Sequence, residues 1–196
     1  MIRSFEIVYE MVKGVFIPQK EKTLHFDEIN LTITIPKELR VLNKKQMEAR
    51  EKKRPLVDPA TSKFLNNESG CRVLFVARNT ETNAMSCIMI PMKERTRNQA
   101  EHEYHEYMDA ILNKMITSSK RFSRVYYEKK IVEVIISNIP FEKFEINHQT
   151  PERIFSTGCF YHGFYKNYQV IFDSAYLNQK TGIKILKNIE DVIFGE

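Results

Sequence analysis

An α+β fold, in which helices pack on an antiparallel sheet, is what this 196-residue sequence predicts. Three observations predict it. One long segment, Asn98–Ser119, has helical periodicity. Several shorter segments on either side alternate apolar and polar residues, the period of strands. The turns joining neighbouring strand segments are short, which suits antiparallel hairpins rather than crossovers. The length fits one domain able to bury a core without metal or disulfide support. Residues 1–196 therefore read as a single α+β domain, with residues 1–22 as a candidate N-terminal extension.

The elements follow in order. Ser4–Val12 alternates Phe5, Ile7, Tyr9 and Met11 with a mixed face, as in a strand near a sheet edge, and Gly14 and Pro18 end it. In Ile29–Ile35 the residues Ile29, Leu31, Ile33 and Ile35 alternate strictly with Asn30, Thr32 and Thr34, which predicts a half-buried strand. Pro36 ends that strand and suits a first helical position, so Lys37–Arg54 reads as a helix marked by Leu39, Leu42, Met47 and Ala49. Pro55–Gly70, with two prolines, reads as loop. Cys71–Asn79 and Ala84–Met92 form a hairpin around Thr80–Asn83, with Pro91 near an end where a ladder donor can be spared. In Asn98–Ser119 the residues Tyr104, Tyr107, Met108, Ile111, Leu112, Met115 and Ile116 fall three and four apart. They draw one apolar stripe for a sheet to pack against. Arg121–Lys130 leads into the strands Ile131–Asn138, Phe141–Asn147, Arg153–Phe164 and Tyr168–Leu177, the last two joined by the Tyr165–Asn167 turn. Thr181–Phe194 predicts a short helix, then Val192–Phe194 closing onto the sheet.

Composition narrows the function classes. Only 6 glycines and no Walker or G-x-G-x-x-G loop argue against a nucleotide-binding fold, and no G-x-S-x-G or H-E-x-x-H motif supports catalysis. The net charge of +5 permits contact with anionic partners without requiring it. Cys71, Cys87 and Cys159 are odd in number and form no C-x-x-C pair, so reduced thiols in a cytoplasmic protein are expected. The alternating N-terminus lacks the unbroken apolar core of a signal peptide, and no stretch is apolar enough to span a membrane.

The order of elements resembles the superfamily that includes the photosystem protein PsbP, a Ran-binding nuclear-import factor and bacterial chaperones of secretion effectors. The segments that carry the resemblance are INLTITIPKEL, CRVLFVARNTETNAMSCIMIPM, the long helix before a series of strands, and the terminal KILKNIEDVIF. Together they touch most of residues 24–194, as a pattern rather than a residue-specific motif. The family's usual tryptophan after the early strand is missing. The resemblance implies an α/β/α sandwich and a non-enzymatic binding scaffold, and it carries no catalytic residue across.

Three surfaces are candidates for function. The first is the aromatic C-terminal hairpin, with Phe155, Phe160, Tyr161, Phe164, Tyr165 and Tyr168 as partner-binding residues. Alternate strand residues face opposite sides, so either both faces are covered or part of this surplus forms a groove for another protein. The second is the basic run Lys44, Lys45, Arg50, Lys52, Lys53 and Arg54, able to hold nucleic acid or another anionic ligand. It lacks the interleaved aromatics of single-strand readers. The third is His102, His105 and Glu106 on the long helix, a metal-hydrolase alternative weakened because HEYH is one residue short of the zinc-protease spacing. The favoured reading is a non-enzymatic adaptor or chaperone without cofactor, whose partner is another protein bound on the aromatic sheet face.

Overall fold

Ten strands and two long helices are built from residues 20–47, 70–79, 83–93, 95–119, 126–150 and 153–195, which the computed structural model describes. The strand expected over Ser4–Val12, the expected loop Pro55–Gly70 except Gly70 itself, residues 48–54 of the expected basic helix, residues 80–82 and residues 120–125 lie outside them. In chain order the elements are β1 (Lys22–Phe26), β2 (Leu31–Ile35), β3 (Arg40–Val41), β4 (Arg72–Arg78) and β5 (Ala84–Pro91). Then come α1 (Arg97–Ser119), β6 (Tyr126–Ile136), β7 (Ile139–Thr150), β8 (Arg153–Tyr165), β9 (Tyr168–Tyr176), α2 (Gln179–Glu190) and β10 (Ile193–Phe194).

Seven strands pair in the order β3–β4–β5–β9–β8–β7–β6, and β1–β2–β10 form a second, smaller sheet. Every pairing is antiparallel. Alternation along the strands sends side chains to two separate cores. On one face Tyr104 and Met108 of α1 pack with Ile88, Ile90, Phe144, Ile146 and Ile171. On the other, Leu31, Ile33 and Ile35 of β2 and Ile185 and Ile189 of α2 meet Met85, Cys87, Met89, Phe141, Tyr161, Val170 and Phe172. The large sheet is therefore sandwiched between α1 and a layer made of α2 and the small sheet. That is the α+β sandwich the sequence led us to expect.

The chain after Pro36 differs from the expected helix. The Leu39 N–H donates to the Pro36 carbonyl in a turn, and Leu39 is only 2% exposed. Arg40 and Val41 then pair with Arg78 and Ala77, and the Leu42 N–H reaches the Val76 carbonyl. Burial of Leu39 and ladder bonds to β4 outweigh helix propensity here, and helical conformation begins only at residue 44. β1 was not visible in the pattern because it is an edge strand with only Leu24 and Phe26 half-buried.

Two local devices set the geometry of the sheet. Ser137 and Asn138 both have positive φ, 51° and 65°, between the paired Ile136 and Ile139. That is the two-residue I′ turn whose twist matches a hairpin. It makes Ile136–Ile139 the hydrogen-bonded pair, so Lys130, Val132, Val134 and Ile136 bond to β7. Lys129, Ile131, Glu133 and Ile135 then aim their backbone groups away from β7. At the other end, the Asn83 side chain is fully buried and its Oδ1 accepts from the Leu177 and Asn178 N–H groups. Asn178 in turn caps α2 through Thr181 N–H at 3.0 Å.

Candidate functional site

The aromatic hairpin occupies the interior of the large sheet, because β8 and β9 lie between β5 and β7. Its residues divide between the two faces as strand alternation requires. Phe160 and Phe164 lie on the α1 side with His162, the Arg97 guanidinium standing 5.5 Å over the Phe164 ring. Tyr165 and Tyr168 pack on the opposite side. The Tyr165 hydroxyl donates to the Gly195 carbonyl, and the Tyr168 hydroxyl reaches Glu28 at 3.4 Å. Tyr161 is 0% exposed. Its hydroxyl donates to Glu190 at 2.8 Å, and the Lys143 ammonium that also bonds Glu190 lies 5.1 Å above its ring. Burial and the Glu190 hydrogen bond push this phenol well above its ordinary pKa, so it stays neutral. The expected set is thus corrected: Tyr161 is a packing residue, and Phe160, Phe164, Tyr165 and Tyr168 do not share one surface. The side chain of Phe155 lies outside the described residues.

The histidines of α1 do not converge. His102 is exposed and sits 3.4 Å from Glu106, whereas His105 turns to the sheet and bonds Glu142 at 2.6 Å. Among the described residues no three His, Cys, Asp or Glu side chains are grouped to hold a metal ion. The weak metal set of His102, His105 and Glu106 is therefore not assembled. A shortened spacing of three, not four, rotates the two imidazoles to different partners. Lys44 and Lys45 are exposed at the start of a helical turn, and Arg50, Lys52, Lys53 and Arg54 lie outside the described residues.

Groups capable of chemistry are locked by burial. Cys159 is pushed up to about 12 and Cys87 well above the ordinary thiol range, chiefly by desolvation, so neither supplies a thiolate nucleophile. His162, 3% exposed, stacks on Tyr104 with ring centroids 4.1 Å apart. Its Nε2 accepts from the Gln169 amide at 2.9 Å, and the same amide donates to the Ala100 carbonyl at 3.2 Å. Burial first, and the charge of His105 second, lower this imidazole to about 3. A shallow groove of about 410 Å³ between β2 and α2 is lined by Thr32, Thr34, Lys184, Lys187, Asn188 and Asp191. Lys184 there is already paired with Glu38.

Among the described residues β6, an eleven-residue strand, stands at one end of the large sheet. Among the described residues nothing pairs with its outer side. On the α1 face of this strand Ile131 is 45% and Ile135 62% exposed. Lys129 on the same face bonds Asp109 of α1 at 2.7 Å. Glu133, between the two isoleucines, lies opposite Glu142 across the ladder and makes no ion pair among the described residues. The sequence did carry a signal here. Ile131 and Ile135 occupy one parity while Val132, Val134 and Ile136 occupy the other, so apolar side chains leave the strand on both sides.

No family model and no curated protein matches the chain. Among solved structures it is similar to cyanobacterial PsbP (CyanoP) from Synechocystis, with a TM-score of 0.54 and 10% identity over 93% of this chain and 96% of that one. A looser likeness is to LpqN of Mycobacterium tuberculosis, described as involved in cell envelope biogenesis. It has a TM-score of 0.43 and 8% identity, covering 89% of this chain and 90% of that one. The fold likeness rests on the first. No helix among the described residues is long and apolar enough to cross a membrane.

Proposed function

We propose that this chain, whose fold is PsbP-like, is a non-enzymatic protein-binding scaffold that receives an extended polypeptide along β6. The observation that carries the reading is the outer edge of β6, unpaired among the described residues, with Ile131 and Ile135 exposed beside it. Natural sheets blunt such edges with short strands, prolines, bulges or covering elements, because unpaired backbone groups template pairing with another chain. β6 has no proline, and no bulge interrupts its register with β7. Its backbone groups at Lys129, Ile131, Glu133 and Ile135 can hydrogen-bond an added strand, while the two isoleucines give that strand apolar contacts. The scaffold role is supported from the other side by the chemistry of the interior, where burial holds Cys87, Cys159, Tyr104, Tyr161, Tyr176 and His162 neutral. The surface thus moves from the aromatic hairpin to the strand two places beyond it.

The experiment is affinity capture with the wild type and with Ile131→Pro. Proline at an outward-facing position removes a donor that the β6–β7 ladder does not use, so the variant is expected to fold but to lose its stoichiometric partner. Equal recovery of partner by both proteins would count against strand addition.

A further inference from the structure

We infer that the strand β6 accepts is β6 of a second copy of this chain, joined across a two-fold axis through Ile131. This rests on the reading of β6 as an open edge and names its occupant. The strand runs from Tyr126 to Ile136, so its midpoint is Ile131. An antiparallel copy in full overlap sets Ile131 opposite Ile131 and Lys129 opposite Glu133, twice. A two-fold axis perpendicular to the sheet reverses strand direction but keeps each face on its own side. Side chains of like parity therefore meet, and the outward backbone groups of Lys129, Ile131 and Glu133 face their counterparts in the geometry of an antiparallel ladder.

Charge selects this register. Moving the axis by one residue to Val132 puts Ile131 opposite Glu133 and loses both ion pairs. Moving it to Glu133 or to Lys129 brings like charges face to face, which is destabilising across strands. Within one copy Glu133 already faces Glu142, and Glu142 is bonded to His105. Lys129 of the second copy supplies the positive charge that Glu133 lacks among the described residues. The apolar groups agree with the charges. Ile131 and Ile135 lie on the α1 face beyond the cover of that helix; pairing the edges brings Ile131 against its equivalent and sets Ile135 opposite Tyr127 of the second copy on that same face. The product is a continuous antiparallel sheet of twice seven strands.

Light scattering on the full chain tests this. The wild type is expected at twice the chain mass at tens of micromolar. Glu133→Lys leaves lysines opposite one another and Lys129→Glu leaves glutamates, so each variant alone is expected at the single-chain mass. Mixed in equal amounts, the two restore complementary pairs, and the mass is expected to double again. An Ile131→Cys variant, which keeps both charges, is expected to cross-link to itself under mild oxidation, because facing Cα atoms at about 5.5 Å suit a disulfide. A wild type that is monomeric at every concentration overturns the inference. So does a single variant that remains dimeric, a mixture of two folded variants that stays monomeric, or an Ile131→Cys protein that forms no cross-linked pair. A monomer that still loses a captured partner on Ile131→Pro would remove the second copy as occupant and leave strand addition standing.

Discussion

Replacing Phe141 by alanine is expected to lower the free energy of unfolding by about 3–5 kcal/mol, the cost of deleting a fully packed aromatic ring. Phe141 is almost wholly buried on the face covered by α2 and the small sheet, with its ring 6.0 Å from Phe172 and 6.1 Å from Phe194. It lies directly across the ladder from Gly163 of β8. A Cβ at Gly163 would stand 2.7 Å from the Phe141 ring, so the glycine is the space the ring occupies. Gly163→Ala is therefore expected to destabilise the wild type by roughly 1–3 kcal/mol through overpacking, and far less once Phe141 is already alanine. Urea unfolding of the two single variants and the double variant measures this coupling. Additive losses would show that ring and glycine do not share the site.

Acid is expected to weaken the fold through His162. The imidazole is lowered to about 3 in the folded chain from an ordinary 6.5, first by burial and then by the charge of His105. The unfolded chain thus binds a proton that the folded chain refuses between these values. Stability is lost as pH falls through that window, by about 1.4 kcal/mol per pH unit. Between pH 7 and pH 5 this one group is expected to cost about 2 kcal/mol. The contacts explain the refusal. Tyr104 stacks on the ring, Gln169 already points an N–H at its Nε2, and His105 with its Glu142 partner lies on the same side. His162→Phe keeps a ring on Tyr104 and removes the titration, so the gap between wild type and variant should change across this range. Unfolding midpoints that fall in parallel would contradict the assignment.

Much of the fold was legible because local periods agree with tertiary burial. The Tyr104–Met108 part of the helical stripe is buried, and the strict Leu31–Ile33–Ile35 alternation is a strand with its apolar face in the core. Where burial of one residue decided the path, the pattern misled. Leu39 looks like a helix mark, yet it anchors a turn into β3. Exposure was the least legible property. The aromatic residues of β8 and β9 are central because β9 pairs with β5, more than seventy residues earlier in the chain for every pair. No local signal reveals that both faces above them are covered. The same topology leaves β6 at the edge, which turns Ile131 and Ile135 from ordinary core residues into exposed ones. The His105–Glu142 contact spans 37 positions and has no sequence signature either.

The claim that β6 is a docking edge is tested most directly by residue-resolved amide hydrogen exchange on the full chain. The amides of Lys130, Val132, Val134 and Ile136 bond to β7 and are predicted to be protected under all conditions. Those of Lys129, Ile131, Glu133 and Ile135 are predicted to exchange quickly in dilute protein and to become protected as protein concentration rises or a bound polypeptide covers the strand. Fast exchange at these four positions in the concentrated or partner-bound protein, or equal protection of both sets in dilute protein, would contradict it.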